Sequence, residues 1–176
     1  MFKYILCLSL LTVGCQDNPS AAQNECPTIN VKFSPNGGAE EAIVASINKA
    51  QSSIYIQAYS FTADNIAAAL IAAKSSGVKI VVIADKETTG NPSSVIKLLH
   101  KNDIDIYIDS KHAIAHNKIM IIDGKTVLTG SYNFSKAASK HNAENSLTIV
   151  DSKLAELYME NWNLHKEHSY LYIPKE

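Results

Sequence analysis

Arginine is absent from this chain. All 16 basic residues are lysine, so no guanidinium fork can clasp a phosphate or carboxylate through two parallel hydrogen bonds. Positive charge is not in surplus either. Sixteen basic against 17 acidic residues give a formal net charge of -1, which excludes a bulk basic field that holds a polyanion by charge alone. Any polyanion must be gripped locally. Cysteine is scarce: Cys7, Cys15 and Cys26 cannot build a disulfide framework and lack zinc-ligand spacing. A second copy of any internal unit is also missing. Against these absences stand 176 residues, 46% hydrophobic and 19% charged, which suit one globular domain and exclude a disordered chain.

The N-terminus reads as an address. Lys3 precedes a mostly apolar run, Tyr4–Val13, too short for the roughly 20 residues a bilayer span requires. Residues 1–14 are expected to be a signal peptide. Val13-Gly14-Cys15 resembles a bacterial lipobox, which makes Cys15 the expected lipidation site; cleavage after Ser20-Ala21-Ala22 is the rival. Either route predicts an exported protein of the periplasm or cell envelope, with a lipid-anchored form favoured. Residues 15–27 are polar and read as a flexible tether, leaving 28–176 as the domain.

Within that domain, helical and strand periodicities alternate. Strands are expected at Val31–Phe33, Ser53–Ala58, Val78–Ala84, Ile104–Ile108 and Ser146–Val150. Lys118–Ile122 and Thr126–Thr129 flank Asp123-Gly124, a hairpin signal. Helices are expected at Glu40–Ala50, Asp64–Ser75, Ser93–Lys101 and Ser152–Lys166, the last N-capped by Asp151 and apolar along Leu154, Leu157, Tyr158 and Trp162. The β-branched run Val78–Ala84 marks a strand buried on both faces. This pattern predicts an α/β fold, a mixed β-sheet between helical layers.

The chemistry concentrates between His116 and Asn133. His116 and Lys118 lie two apart at the mouth of a strand, so their side chains are expected on one face. An imidazole beside an ammonium is a poor pair to bury for stability, but a sensible one around an anion. The second hairpin arm delivers Gly130, which permits close backbone approach, and then Ser131 and Asn133, a hydroxyl and an amide. Together these groups could make a nucleophile with a phosphate cradle.

His116-x-Lys118-x4-Asp123-x6-Gly130-Ser131-x-Asn133 resembles the HKD signature of the phospholipase D superfamily without a gap. Ala58-Tyr59-Ser60-Phe61-Thr62 and Ala143-Glu144-Asn145 are similar to stretches of its small single-motif members, the bacterial EDTA-resistant endonucleases; cardiolipin hydrolase-like members are more distant. The resemblance implies a phosphohistidine on His116 and phosphate binding by Lys118, Ser131 and Asn133. It also implies a second histidine acting as acid and then base, and Glu144 as the carboxylate that orients the catalytic imidazole. With one motif in the chain, a homodimer is expected to supply both histidines. Asp123 and Gly130 take structural roles. Lys136, Lys140 and Tyr59 are candidate groove residues.

The pairs His112/His116 and His165/His168 have ligand-like spacing, but no carboxylate or cysteine completes either set in sequence, so neither a metal nor a cofactor is expected. The resulting expectation is an exported metal-independent phosphodiesterase. Its main reading is a nonspecific endonuclease acting on DNA, with RNA as a further substrate. The alternatives are a lipid hydrolase for a cardiolipin-like substrate, and a surface module that captures DNA for uptake.

Overall fold

The computed structural model describes residues 26–174. The expected signal segment, Cys15 and the tether up to residue 25 lie outside the described residues. The elements run β1 (Thr28–Ser34), α1 (Ala39–Ile47), β2 (Ser53–Ala58), α2 (Asp64–Ser75), β3 (Lys79–Asp85), a 3-10 turn (Lys86–Thr89), α3 (Ile96–Lys101), β4 (Asp105–Asp109), β5 (Lys118–Ile122), β6 (Thr126–Gly130), α4 (Lys136–Lys140), β7 (Glu144–Val150), α5 (Ser152–His168) and β8 (Tyr170–Leu171). All eight strands form one sheet in the order β1-β7-β6-β5-β2-β3-β4-β8. β2, β3 and β4 are parallel and every other neighbouring pair is antiparallel, so the sheet is mixed.

Period-two alternation divides the core. Ile54, Ile56, Ile80, Val82, Ile106, Ile108, Met120 and Ile122 face α1, α2 and α3, where Ile43, Ile47, Ile66, Leu70, Ile96 and Leu99 meet them. Val81, Ile83, Ile119, Ile121 and Val127 face α5 through Ala155 and Trp162. The Trp162 ring lies edge-on to Tyr55 at 5.0 Å, and its N–H donates to the Ile56 carbonyl at 3.0 Å. Truncating such a buried Trp usually costs about 3–5 kcal/mol. β3 is buried on both faces because both helical layers cover it.

Local chemistry explains where the elements begin and end. Asp151 caps α5 by accepting from the Leu154 N–H at 3.0 Å. Gly77, at φ +92°, lets the chain turn sharply between α2 and β3. α3 begins three residues later than the periodicity suggests. Ser93 donates instead to the Asn91 side chain, and Val95 to the Phe61 carbonyl. Leu157 corrects the expected apolar stripe of α5, since it is 61% exposed. It lies five residues from Trp162 and therefore on another side of the helix.

At the β5–β6 turn, Asp123 and Gly124 both have positive φ. The Asp123 carboxylate reaches the turn that enters β2, accepting from the backbone N–H groups of Gln51, Ser52 and Ser53 at 2.8–3.0 Å and from the Ser52 hydroxyl at 2.9 Å. Burial pushes this carboxyl up, but the four hydrogen bonds outweigh it and hold it below the ordinary carboxylate range. A depressed carboxyl contributes stability that is complete above its unfolded pKa and is lost as pH falls through the folded one. Asp123→Asn should therefore unfold more easily at neutral pH, and its denaturation midpoint should change less on acidification than that of the wild type.

Edge strand β1 leaves Ile29, Val31 and Phe33 about half exposed or more, a row of apolar side chains on one face. No helix among the described residues is long and apolar enough to cross a membrane.

Candidate active site

The candidate site lies at the edge of the sheet where parallel strands β2 and β3 end and antiparallel β5 begins. Such crevices outside the carboxyl ends of strands are where open α/β sheets place ligands. Lys118, the first residue of β5, pairs with Ala58, the last of β2, and the Tyr59 N–H extends the ladder to the Asn117 carbonyl at 3.1 Å. His116 therefore precedes the strand rather than belonging to it. Its exposed ring packs against the Tyr59 ring with centroids 4.6 Å apart. Lys118 is 8% exposed; its ammonium donates to the His116 carbonyl and stands 5.1 Å from the Tyr59 ring centroid. Burial lowers the Lys118 pKa, while the Glu144 carboxylate pushes it back up. An anion bound there would relieve the burial cost in the same way.

Asp85, fully buried at the end of β3, secures the approach to His116. One carboxylate oxygen accepts from the Glu87 N–H at 2.8 Å, and the other from the Ala115 N–H at 2.6 Å, one residue before the histidine. Sequence reading passed over Asp85. The available signal was an acid directly after a continuous buried run at the carboxyl end of a parallel strand.

The other wall comes from the end of β6. Gly130 has φ +140°, and a Cβ there would sit 2.4 Å from the Asn145 carbonyl oxygen and 2.8 Å from its Oδ1. Gly130→Ala should lower the thermal midpoint by about 2–12 °C, from about 1–3 kcal/mol of overpacking at about 2–4 °C per kcal/mol. Turnover should fall with it, because the same backbone delivers Ser131. The Ser131 hydroxyl accepts from the Asn145 N–H at 3.1 Å and from its side-chain amide at 3.3 Å, which leaves its own O–H free to donate. The Asn133 Oδ1, like the Gln57 Oε1, is buried without a hydrogen-bond partner among the described residues; as an acceptor it cannot bind a phosphoryl oxygen, so a phosphate contact of Asn133 falls to its side-chain NH2. The Phe134 carbonyl accepts from Thr62 and Ala63, so this arm is tied to the segment that carries Tyr59. Phe61, with no exposure, packs on Phe134 as core.

Glu144 accepts from the Asn142 side chain at 3.0 Å and acts electrostatically on Lys118. Lys136 spends its charge on Asp64 at 2.8 Å, which weakens it as a groove residue, whereas Lys140 is exposed at the end of α4. The histidines group differently from their spacing in sequence. His112 lies with His165 and His168 around Asp109, and His116 stands with Tyr59 and Lys118.

Residues 43–165 match the protein family described as cardiolipin synthase, PLD-like domain. The chain is 43% identical over 141 residues to a phospholipase D of Rickettsia prowazekii, covering 80% of this chain and 69% of that protein. It is 28% identical over 132 residues to the mitochondrial cardiolipin hydrolase of Xenopus tropicalis, covering 73% and 63%. Among solved structures, the phospholipase D family member Nuc from Salmonella typhimurium superposes with a TM-score of 0.80 at 37% identity, over 83% of this chain and 98% of that one.

Proposed function

We propose, since the chain belongs to the phospholipase D superfamily, that it is a phosphodiester hydrolase working through His116 and that its substrate is a phospholipid. The hydrolase assignment follows from the family and the intact signature, and it leaves no place for a purely capturing, noncatalytic module. The lipid reading is carried by one observation: the relative sharing 43% of its residues over four-fifths of this chain bears the name phospholipase D. That moves the weight away from the nuclease expected from sequence.

The chemistry divides into two displacements. A neutral His116 nitrogen attacks phosphorus, an N–P bond forms, and the P–O bond to the leaving alcohol breaks. A second imidazole, protonated, gives its proton to that oxygen. Water then attacks phosphorus, its proton passes to the second imidazole, and the N–P bond breaks. Lys118, Ser131 and Asn133 supply charge and donors to the phosphoryl oxygens. The second imidazole is another His116, brought by a further copy of the chain in a twofold dimer. The apolar row Ile29–Val31–Phe33 supports such a dimer, because Phe33 pairs with Asn145 and so the row ends at the rim of the site. Export and a lipid on Cys15 would hold that site at a bilayer surface.

A nuclease reading keeps one specific support. The 37%-identical Nuc structure is covered almost end to end, and the half-buried Tyr59 ring, against His116 and Lys118, puts an aromatic side chain of the kind that stacks on bases at the site. Parallel incubation with cardiolipin vesicles, single-stranded DNA, plasmid and RNA separates the two. Release of phosphatidic acid, lost in His116→Asn, is expected. Polynucleotide cleavage with no lipid turnover would reverse the assignment.

A further inference from the structure

Asp109 is the last residue of β4 and has no exposure. Its Oδ2 lies 2.9 Å from His112 Nδ1, 2.9 Å from His165 Nδ1 and 3.2 Å from His168 Nε2. The four ligand atoms all fall within 4.8 Å of one another. We propose that Asp109, His112, His165 and His168 form a binding site for a divalent first-row transition ion of the zinc class, separate from the phosphodiester site. None of the four belongs to the signature around His116.

Hydrogen bonding alone serves this arrangement poorly. A carboxylate oxygen offers about two lone-pair positions, yet three imidazole nitrogens converge on Oδ2. The other oxygen is already taken by the backbone N–H groups of Lys111 and His112 at 3.0 and 3.4 Å. The three rings crowd each other at centroid distances of 4.9–5.3 Å, so protonating all of them would set three positive charges around one negative charge. An ion at the centre resolves both conflicts, because each imidazole then directs a lone pair inward and stays neutral.

The dimensions are near those of a metal site. Ligands about 2.0–2.1 Å from a tetrahedral ion stand about 3.3–3.4 Å apart, so the Oδ2–nitrogen separations of 2.9, 2.9 and 3.2 Å must open by a few tenths of an ångström to admit the ion. Three imidazoles and one carboxylate are a borderline donor set that suits zinc better than the all-oxygen ions calcium or magnesium. The backbone amides on Oδ1 fix the carboxylate from behind, as outer partners of metal ligands commonly do. His165 and His168 share one face of the last turn of α5, and His112 is about two-fifths exposed beside a recess bounded by Asn161 and Leu164, which gives an ion access.

Four protein ligands leave no open position, which makes the site structural rather than catalytic. It would clamp the end of α5 to the start of the 110–117 segment, whose other end Asp85 holds next to His116. The ion thus braces the loop that presents the nucleophile without taking part at phosphorus.

The test uses untagged full chain stripped with chelator, then titrated with Zn²⁺ by calorimetry and with Co²⁺ by visible absorption. One ion per chain is expected, with the intense visible bands of tetrahedral Co²⁺ and a higher thermal midpoint in Zn²⁺. His165→Gln and Asp109→Asn should bind at least about 10-fold more weakly and lose those bands, while His116→Asn keeps them. His112→Gln, at the most exposed ligand, provides the same readout if Asp109→Asn does not fold. Absence of stoichiometric binding by the wild type would overturn the proposal, as would His165→Gln and His112→Gln variants that bind as the wild type does.

Discussion

His116→Asn should reduce phosphodiester hydrolysis by about 10⁴-fold or more while leaving the thermal midpoint nearly unchanged. The size of the loss follows from the role, since removal of a nucleophile forfeits the whole covalent route and not one stabilising contact. The unchanged midpoint follows from exposure: the ring lies on the surface against Tyr59, and truncating it opens no cavity. Turnover of a standard diester such as bis(p-nitrophenyl) phosphate measures the first quantity, and thermal denaturation the second. Residual activity within tenfold of the wild type would remove His116 from the chemistry. Dimers isolated from mixed wild-type and His116→Ala protomers extend the test. Impaired turnover is expected if one histidine attacks and the other moves the proton, whereas full activity in those mixed dimers would show that a single imidazole suffices.

Lys118→Met should cost about 10²–10³-fold in turnover, the usual loss when one preorganised donor to a developing charge is removed. Here stability and activity should move in opposite directions. The Lys118 pKa is lowered chiefly by burial, so keeping its ammonium charged in the fold opposes folding at neutral pH. A lysine with a depressed folded pKa destabilises the protein below that pKa, and the cost fades as pH rises through it. The Met variant should therefore match or exceed the wild type in urea at neutral pH, and the difference should shrink in alkali. A variant that loses both activity and stability would make Lys118 a structural residue. The same titration bounds catalysis, because the alkaline limb of the rate profile should fall at lower pH than an ordinary lysine would give.

Much of the architecture could be read from one sequence because the signals were local. α2 coincides with its periodic segment Asp64–Ser75, β2 with Ser53–Ala58, and the β5–β6 hairpin was announced by Asp123-Gly124. The three elements that were not anticipated are short, namely the 3-10 turn at Lys86–Thr89, α4 and β8. In such elements a few long-range contacts outweigh local preference: α4 starts where Ser135 caps Ala138 and Thr62 accepts from Lys136. Leu157 misled the helix reading because apolar character by itself does not say which face a helix turns inward.

The site divides along the same line. Sequence by itself determined the family, the reacting groups and their order, because Lys118 opens β5 and Gly130 closes the adjacent β6, with His116 just before the one and Ser131 and Asn133 just after the other. Tertiary structure alone decided which distant residues serve them. Asp85 reaches Ala115 across 30 positions, and Asp109 gathers His165 and His168 from 56 and 59 positions away. No local rule encodes those meetings. They exist because parallel β3 and β4 end at the same sheet edge and α5 returns across the opposite face, bringing its last turn to the carboxylate there.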